Sequence, residues 1–190
     1  MSNRFRVLAI GGSAGSIPVV TELLRALPAS FRFSVFIILH RLKNVPSSLE
    51  TILASKGTGL QLSEPDDKEV IQASRIYLAP QNYHLLIEPG ETISLDYSEP
   101  VHYSRPSIDV TFESIAQVYA ETAVAILLSG ANPDGADGLL AVVAQGGVAI
   151  VQDPATAEYP AMPQAAIDRN TGVMVLTPQS IASFIHTLNE

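Results

Sequence analysis

A chain of 190 residues, 47% hydrophobic and 16% charged, has the make-up of one packed globular unit long enough to bury a core without staples. With no cysteine there is no disulfide frame, no thiol nucleophile and no thiolate metal site. A formal charge of −8 without any basic stripe argues against a nucleic-acid backbone as partner.

Arg4 and Arg6 before an apolar run resemble the start of a secretory signal, but Gly11-Gly12-Ser13 interrupts that run at once. The longest apolar runs, 35–39 and 123–128, are strand-length and far too short to span a bilayer. The expectation is a cytoplasmic protein without membrane insertion.

Val7-Leu8-Ala9 reads as a strand that enters the glycine-rich turn Ile10-Gly11-Gly12-Ser13-Ala14-Gly15-Ser16. Val20, Leu23, Leu24 and Leu27 then recur at helical spacing until Pro28 stops the helix. The run 33–39 is nearly all apolar, as a strand buried on both faces should be, and it ends at His40. Ser47 and Glu50 have the spacing of a capping box, predicting a short helix that ends at Gly57. The acidic stretch 64–69 reads as a solvated loop. Residues 75–78, 84–88 and 92–97 read as short strands, the last two joined at Pro89-Gly90 into an antiparallel hairpin at an edge.

From Pro106-Ser107 a helix is expected with Ile108, Phe112, Ile115 and Tyr119 on its apolar face. Strand 123–128 runs into the loop Ser129 to Gly135, and a helix closed by Gly146-Gly147 follows. Strand 148–151, a helix opened by Pro163, strand 173–176 and a last helix from Pro178 complete the chain. Strand and helix alternate for most of this length, which predicts an α/β fold. Its sheet is mainly parallel and doubly wound, with helices on both faces. No internal repeat or linker divides residues 1–190, so a single domain is expected.

Three strands of the buried type end in Ser13, His40 and the loop that carries Asp134. The carboxyl edge of an open α/β sheet is where ligands bind and where distant residues meet. A hydroxyl, an imidazole and a carboxylate are the set that nucleophilic acyl transfer requires. Imidazole as a side-chain type titrates near neutral pH, which lets it take a proton and return it. A carboxylate on its second nitrogen fixes the tautomer and stabilises the imidazolium. Glycine-rich loops at Gly12 and Gly130-Ala131 offer backbone N–H groups for an oxyanion.

Each residue also has an ordinary reading: Ser13 as a turn residue, His40 as a strand-end histidine bonded to a loop, and Asp134 as a helix cap before Gly135. The string Gly11-Gly12-Ser13-Ala14-Gly15 fits the G-x-S-x-G elbow. However, the order Ser, His, Asp with the serine after the first strand is not that of the α/β-hydrolases. A dinucleotide-binding oxidoreductase would need a different glycine spacing and an acidic residue after the second strand, where His40 stands. A non-catalytic signalling or interaction module on the same fold is the other alternative.

Six ordered blocks carry a resemblance to a known family. They are the first turn, the strand ending at His40, Tyr77-Leu78-Ala79-Pro80 with His84, Ser104-Arg105-Pro106-Ser107-Ile108-Asp109, Ser129 through Gly138, and Gln152-Asp153-Pro154 with Met162-Pro163. Together they resemble the catalytic domain of the chemotaxis receptor protein-glutamate methylesterases, the CheB family.

The resemblance implies a cofactor-free serine esterase that hydrolyses glutamate γ-methyl esters on the cytoplasmic helices of a methyl-accepting chemotaxis receptor. Deamidation of receptor glutamines by the same acyl-enzyme route is implied for some members. It places the nucleophile on Ser13, the base on His40, the orienting acid on Asp134 and one oxyanion amide on Ala131, with no metal. Family members usually carry an N-terminal receiver domain, which is not expected in residues 1–190. Ala14 and Ala131 stand where threonine and methionine are frequent, so substrate fit is expected to differ. Arg105 is expected to orient a substrate carboxylate or to form a surface ion pair. His84 is expected to be structural and His186 exposed or partly packed, and His102 has no assigned place.

Overall fold

The computed structural model describes residues 5–45, 47–56 and 61–189. Strands β1 (Val7–Gly12), β2 (Ser34–Leu39), β3 (Leu62–Ser63), β4 (Ile76–Leu78), β7 (Ala123–Leu127), β8 (Val148–Gln152) and β9 (Met174–Leu176) form one sheet of order β3-β4-β2-β1-β7-β8-β9. Every pairing in it is parallel. Strands β5 (His84–Glu88) and β6 (Thr92–Asp96) make a separate antiparallel pair.

Burial on both faces explains the unbroken apolar runs, because successive side chains of a strand point to opposite sides. Val7 and Ala9 of β1, with Phe36 and Ile38 of β2, face α3 (Ile108–Tyr119), α4 (Ala136–Ala144), α5 (Ala161–Arg169) and the hairpin. Leu8, Ile10, Val35 and Ile37 face α1 (Ile17–Ala26), α2 (Leu49–Lys56) and α6 (Pro178–His186). The hairpin packs its Leu85, Ile87 and Ile93 into the first of these layers and does not extend an edge of the main sheet.

Local departures from the expected elements have local causes. The Ser47 hydroxyl accepts from the Leu49 amide at 3.3 Å, one residue short of a capping box, because α2 starts at Leu49. The expected stop at Gly57 lies outside the described residues. The acidic 64–69 stretch is a loop, but its ends are tied down. Glu64 pairs with Arg41 and Glu69 with Arg75, while Pro65 is buried. Helix α5 begins at Ala161, two residues before Pro163.

The strand order places the site. β1 lies between β2 and β7, so the chain winds to one side of β1 first and to the other side later. The crevice outside the carboxyl end of such a strand is the topological switch point. Helix α3 comes close to this point because residue 11 has no side chain. A Cβ there would lie 2.5 Å from Ile108 Cγ2.

Candidate active site

Ser13 follows β1, His40 follows β2, and Asp134 lies on the loop after β7, so the three come from three adjacent strands. Gly12 pairs with Leu39, and the His40 amide donates to the Gly12 carbonyl at 3.2 Å. Ser13 and His40 therefore leave the sheet side by side, at about the 4.8 Å spacing of neighbouring strands.

His40 and Asp134 are joined: His40 Nε2 lies 2.6 Å from Asp134 Oδ2, and the carboxylate is fully buried. Asp134 does not cap the helix that follows it. Gly135, at φ 96°, occupies the cap position of α4, and the left-handed conformation there turns the chain so that Asp134 points to another helix. Its Oδ1 accepts from the Ser107 hydroxyl at 2.8 Å and the Asp109 amide at 3.0 Å, and its Oδ2 accepts from the Ile108 amide at 2.8 Å. These are the open donors at the N-terminus of α3, where a negative charge is favoured.

Burial alone would raise the Asp134 carboxyl. The His40 hydrogen bond and the two backbone amides outweigh it and hold the group below its ordinary range. His84 supports this arrangement from behind. Its Nδ1 accepts from the Ser107 amide at 3.1 Å, and its Nε2 reaches the Glu99 carbonyl at 3.1 Å.

Ser13 is half-buried, and its hydroxyl makes no hydrogen bond among the described residues. Its backbone is well held, with the amide donating to Ser129 O at 2.9 Å and the carbonyl accepting from both the amide and the hydroxyl of Ser16. Among the described residues the N–H groups of Ala14 and Ala131 have no protein acceptor, as an oxyanion site requires. Ser129, fully buried and overlooked in the sequence, ties the loops together. Its hydroxyl donates to Ala14 O at 2.8 Å and accepts from the Tyr159 amide at 2.9 Å.

Arg105 is engaged by the loop after the hairpin. Its guanidinium donates to the carbonyls of Tyr97 and Ser98 and stacks 3.9 Å from the Tyr97 ring centroid, which pins the exit of the hairpin. In this arrangement Arg105 anchors a loop, and none of the ion pairs found among the described residues involves it. Nothing in a single arginine between Ser104 and Pro106 signals that carbonyl partners will claim it. His186 is exposed at the end of α6. His102 Nε2 lies 3.4 Å from Asp109 Oδ2, behind the Asp134 loop.

Asp109 is buried next to Asp134, and its carboxyl is pushed up from 3.8 to about 7. Burial is the main cause; the Gly138 amide opposes it and the Asp134 charge adds to it. Between those two values the folded chain holds a proton that the unfolded chain has lost, so stability falls as pH rises through that window. Asp109→Asn keeps an acceptor for the Gly138 amide, which now donates to Asp109 Oδ1 at 2.7 Å. The variant is expected to be more stable than wild type at pH 8, by order 1–4 kcal/mol, with the difference gone near pH 4. Thermal unfolding across that range checks it; a gap that does not vary with pH would refute it.

Two clefts adjoin these residues, one at His40 and one at Ala131. One, of about 340 Å³, is lined by His40 with Ile17, Leu42, Val45 and Ile52, all exposed apolar side chains. The other, of about 350 Å³, is lined by Ala131, Tyr159, Pro160, Ala161 and Gln164. Among the described residues no helix is long and apolar enough to cross a membrane.

Known proteins resemble this chain over nearly its whole length. The CheB methylesterase family pattern matches residues 8–185. A Leptospira interrogans protein, provisionally named protein-glutamate methylesterase/protein-glutamine glutaminase, is 39% identical over 186 residues, covering 98% of this chain and 96% of that one. A Methanospirillum hungatei protein named protein-glutamate methylesterase/protein-glutamine glutaminase 2 is 34% identical over 185 residues. The match covers 97% of this chain but 53% of that longer protein. The crystal structure of the Thermotoga maritima CheB methylesterase catalytic domain superposes with a TM-score of 0.89 at 27% identity, covering 97% of this chain and 98% of that one.

Proposed function

Because the chain belongs to the CheB methylesterase family, we propose that it hydrolyses glutamate γ-methyl esters on the cytoplasmic helices of a chemoreceptor, with Ser13 as nucleophile, His40 as base and Asp134 as its anchor. The observation that carries this reading is the 2.6 Å bond between His40 Nε2 and a buried carboxylate, at the same sheet edge as a serine hydroxyl that no group among the described residues engages. An ionised carboxylate only accepts, so Nε2 bears the proton and Nδ1 presents the basic lone pair.

In the acylation step Ser13 Oγ attacks the ester carbonyl carbon as its proton passes to His40 Nδ1. The Ala131 amide, with that of Ala14, supports the charge that develops on the carbonyl oxygen. Nδ1–H then protonates the departing methoxide, releasing methanol and leaving an acyl-serine. Water attacks the acyl group, gives its proton to Nδ1, and the returned proton restores Ser13 as the glutamate leaves. A glutamine side chain presents the same carbonyl with ammonia as the leaving group, in keeping with the paired names of the relatives.

The apolar clefts at His40 and Ala131 suit a protein segment better than a free small ester. A binding module without chemistry would have no use for an imidazole anchored by an ionised carboxylate in its cleft. Incubation with a receptor fragment carrying labelled methyl esters is expected to release labelled methanol. No release above the uncatalysed rate would refute the assignment.

A further inference from the structure

The nitrogen that must act as base is already occupied. Ser104 Oγ lies 3.2 Å from His40 Nδ1, on the side of the ring opposite Asp134. With Nε2 protonated toward Asp134, Nδ1 has no proton, so the Ser104 hydroxyl is the donor in this pair.

The fold holds Ser104 there by a tight turn. Val101 and Ser104 exchange two backbone hydrogen bonds, of 3.1 and 2.8 Å, and between them His102 and Tyr103 both have positive φ, 46° and 62°. That pair of conformations is the one asparagine and glycine normally supply, and neither residue here is either. The Asn132 side chain donates to the His102 carbonyl at 3.3 Å, which ties the turn to the loop that bears Asp134. Strained backbone held by its surroundings is a feature of functional sites.

We propose that Ser104 is a positioning residue that governs His40, resting on the reading in which Ser13 is the nucleophile. In the resting enzyme the Ser104 hydroxyl donates to Nδ1 and keeps the ring plane aimed between Asp134 and the mouth of the site. When substrate seats, Ser13 takes over the Nδ1 lone pair and transfers its proton. Nδ1 is then a donor, and Ser104 Oγ becomes its acceptor by swinging its own proton toward the His102 carbonyl, 3.5 Å away. The exchange moves no net charge and leaves every atom bonded as before. Its effect is that the imidazolium has a polar partner at each nitrogen throughout the cycle.

The experiment compares wild type, Ser104→Ala, Ser104→Thr and Ser13→Ala on a methylated receptor fragment, and maps labelling by a fluorophosphonate probe. Ser104→Ala is expected to lower kcat about 5- to 10-fold, the worth of one such hydrogen bond, with KM unchanged. Ser104→Thr, which restores a hydroxyl, is expected to recover most of the loss. The probe is expected to mark Ser13 in the wild type and more slowly in Ser104→Ala. An unchanged kcat in Ser104→Ala, a change confined to KM, or a loss that threonine does not recover would overturn the positioning role while Ser13 labelling upheld the nucleophile. Label on Ser104 in Ser13→Ala would overturn both.

Discussion

Ser13→Ala is expected to lower kcat for methyl-ester hydrolysis on the order of 10⁴-fold while leaving the folded protein as stable as before. The second half of this expectation comes from the structure. The Ser13 hydroxyl has no partner among the described residues, so its removal orphans no buried group. What fixes the turn is backbone: the bonds of residue 13 to Ser129 and Ser16 survive the substitution. Turnover measured beside thermal unfolding decides the matter. Wild-type turnover would remove Ser13 from the chemistry, and a collapse of stability would mean that the hydroxyl is structural after all.

Asp134→Asn is expected to do both kinds of damage. The carboxylate accepts from the Ser107 hydroxyl, two amides of α3 and His40. An asparagine NH₂ in place of Oδ1 would meet the Asp109 N–H head-on. In place of Oδ2 it would meet the Ile108 N–H and would require His40 Nε2 to accept, moving the ring proton to Nδ1. That is the tautomer unable to receive the Ser13 proton, and a loss near 10⁴-fold in kcat is expected. Opposed buried donors are expected to cost about 2–4 kcal/mol of stability. Urea unfolding and turnover on the same samples test this. A variant that kept wild-type stability would show that the α3 terminus does not depend on this carboxylate.

Side by side, the two substitutions separate the chemistry of the site from its construction. Ser13 is held by backbone and contributes only its hydroxyl. Asp134 holds the end of a helix and a histidine at once, so the catalytic role proposed for it and its structural role have the same atoms. The same crowding bears on Asp109, whose buried carboxyl is pushed up to about 7 by lack of solvent and by the neighbouring Asp134 charge.

Much of the fold was legible from apolar periodicity. Residues 35–39 and 123–128 read as buried strands because both faces of a central parallel strand are covered, and the structure buries them throughout, the second strand ending at Leu127. The hairpin was legible from its Pro89-Gly90 turn, yet its packing against α3 was not, since a turn signal specifies a local bend and carries no address in the sheet. The two-residue strand β3 has too few positions to show any alternation. Ser13, His40 and Asp134 stood out as a hydroxyl, an imidazole and a carboxylate in the turns that follow three strongly apolar strands. Ser104, Ser107 and Ser129 did not stand out for their hydroxyls, since a serine at a turn, helix start or strand end looks the same whether it faces water or a buried partner.

The sequence by itself determined the alternation of strands and helices, the carboxyl-edge location of the three polar groups and the family to which the chain belongs. Those properties are written in local patterns: burial sets the periodicity of side chains, and motif order survives without coordinates. Only the tertiary structure decided which helix end receives Asp134, which nitrogen of His40 it takes, which serine occupies the other, and that Arg105 serves a loop. Each of these depends on which donor and acceptor meet across many residues of chain. A hydrogen bond is made or lost within a few tenths of an ångström, a precision that only packing supplies.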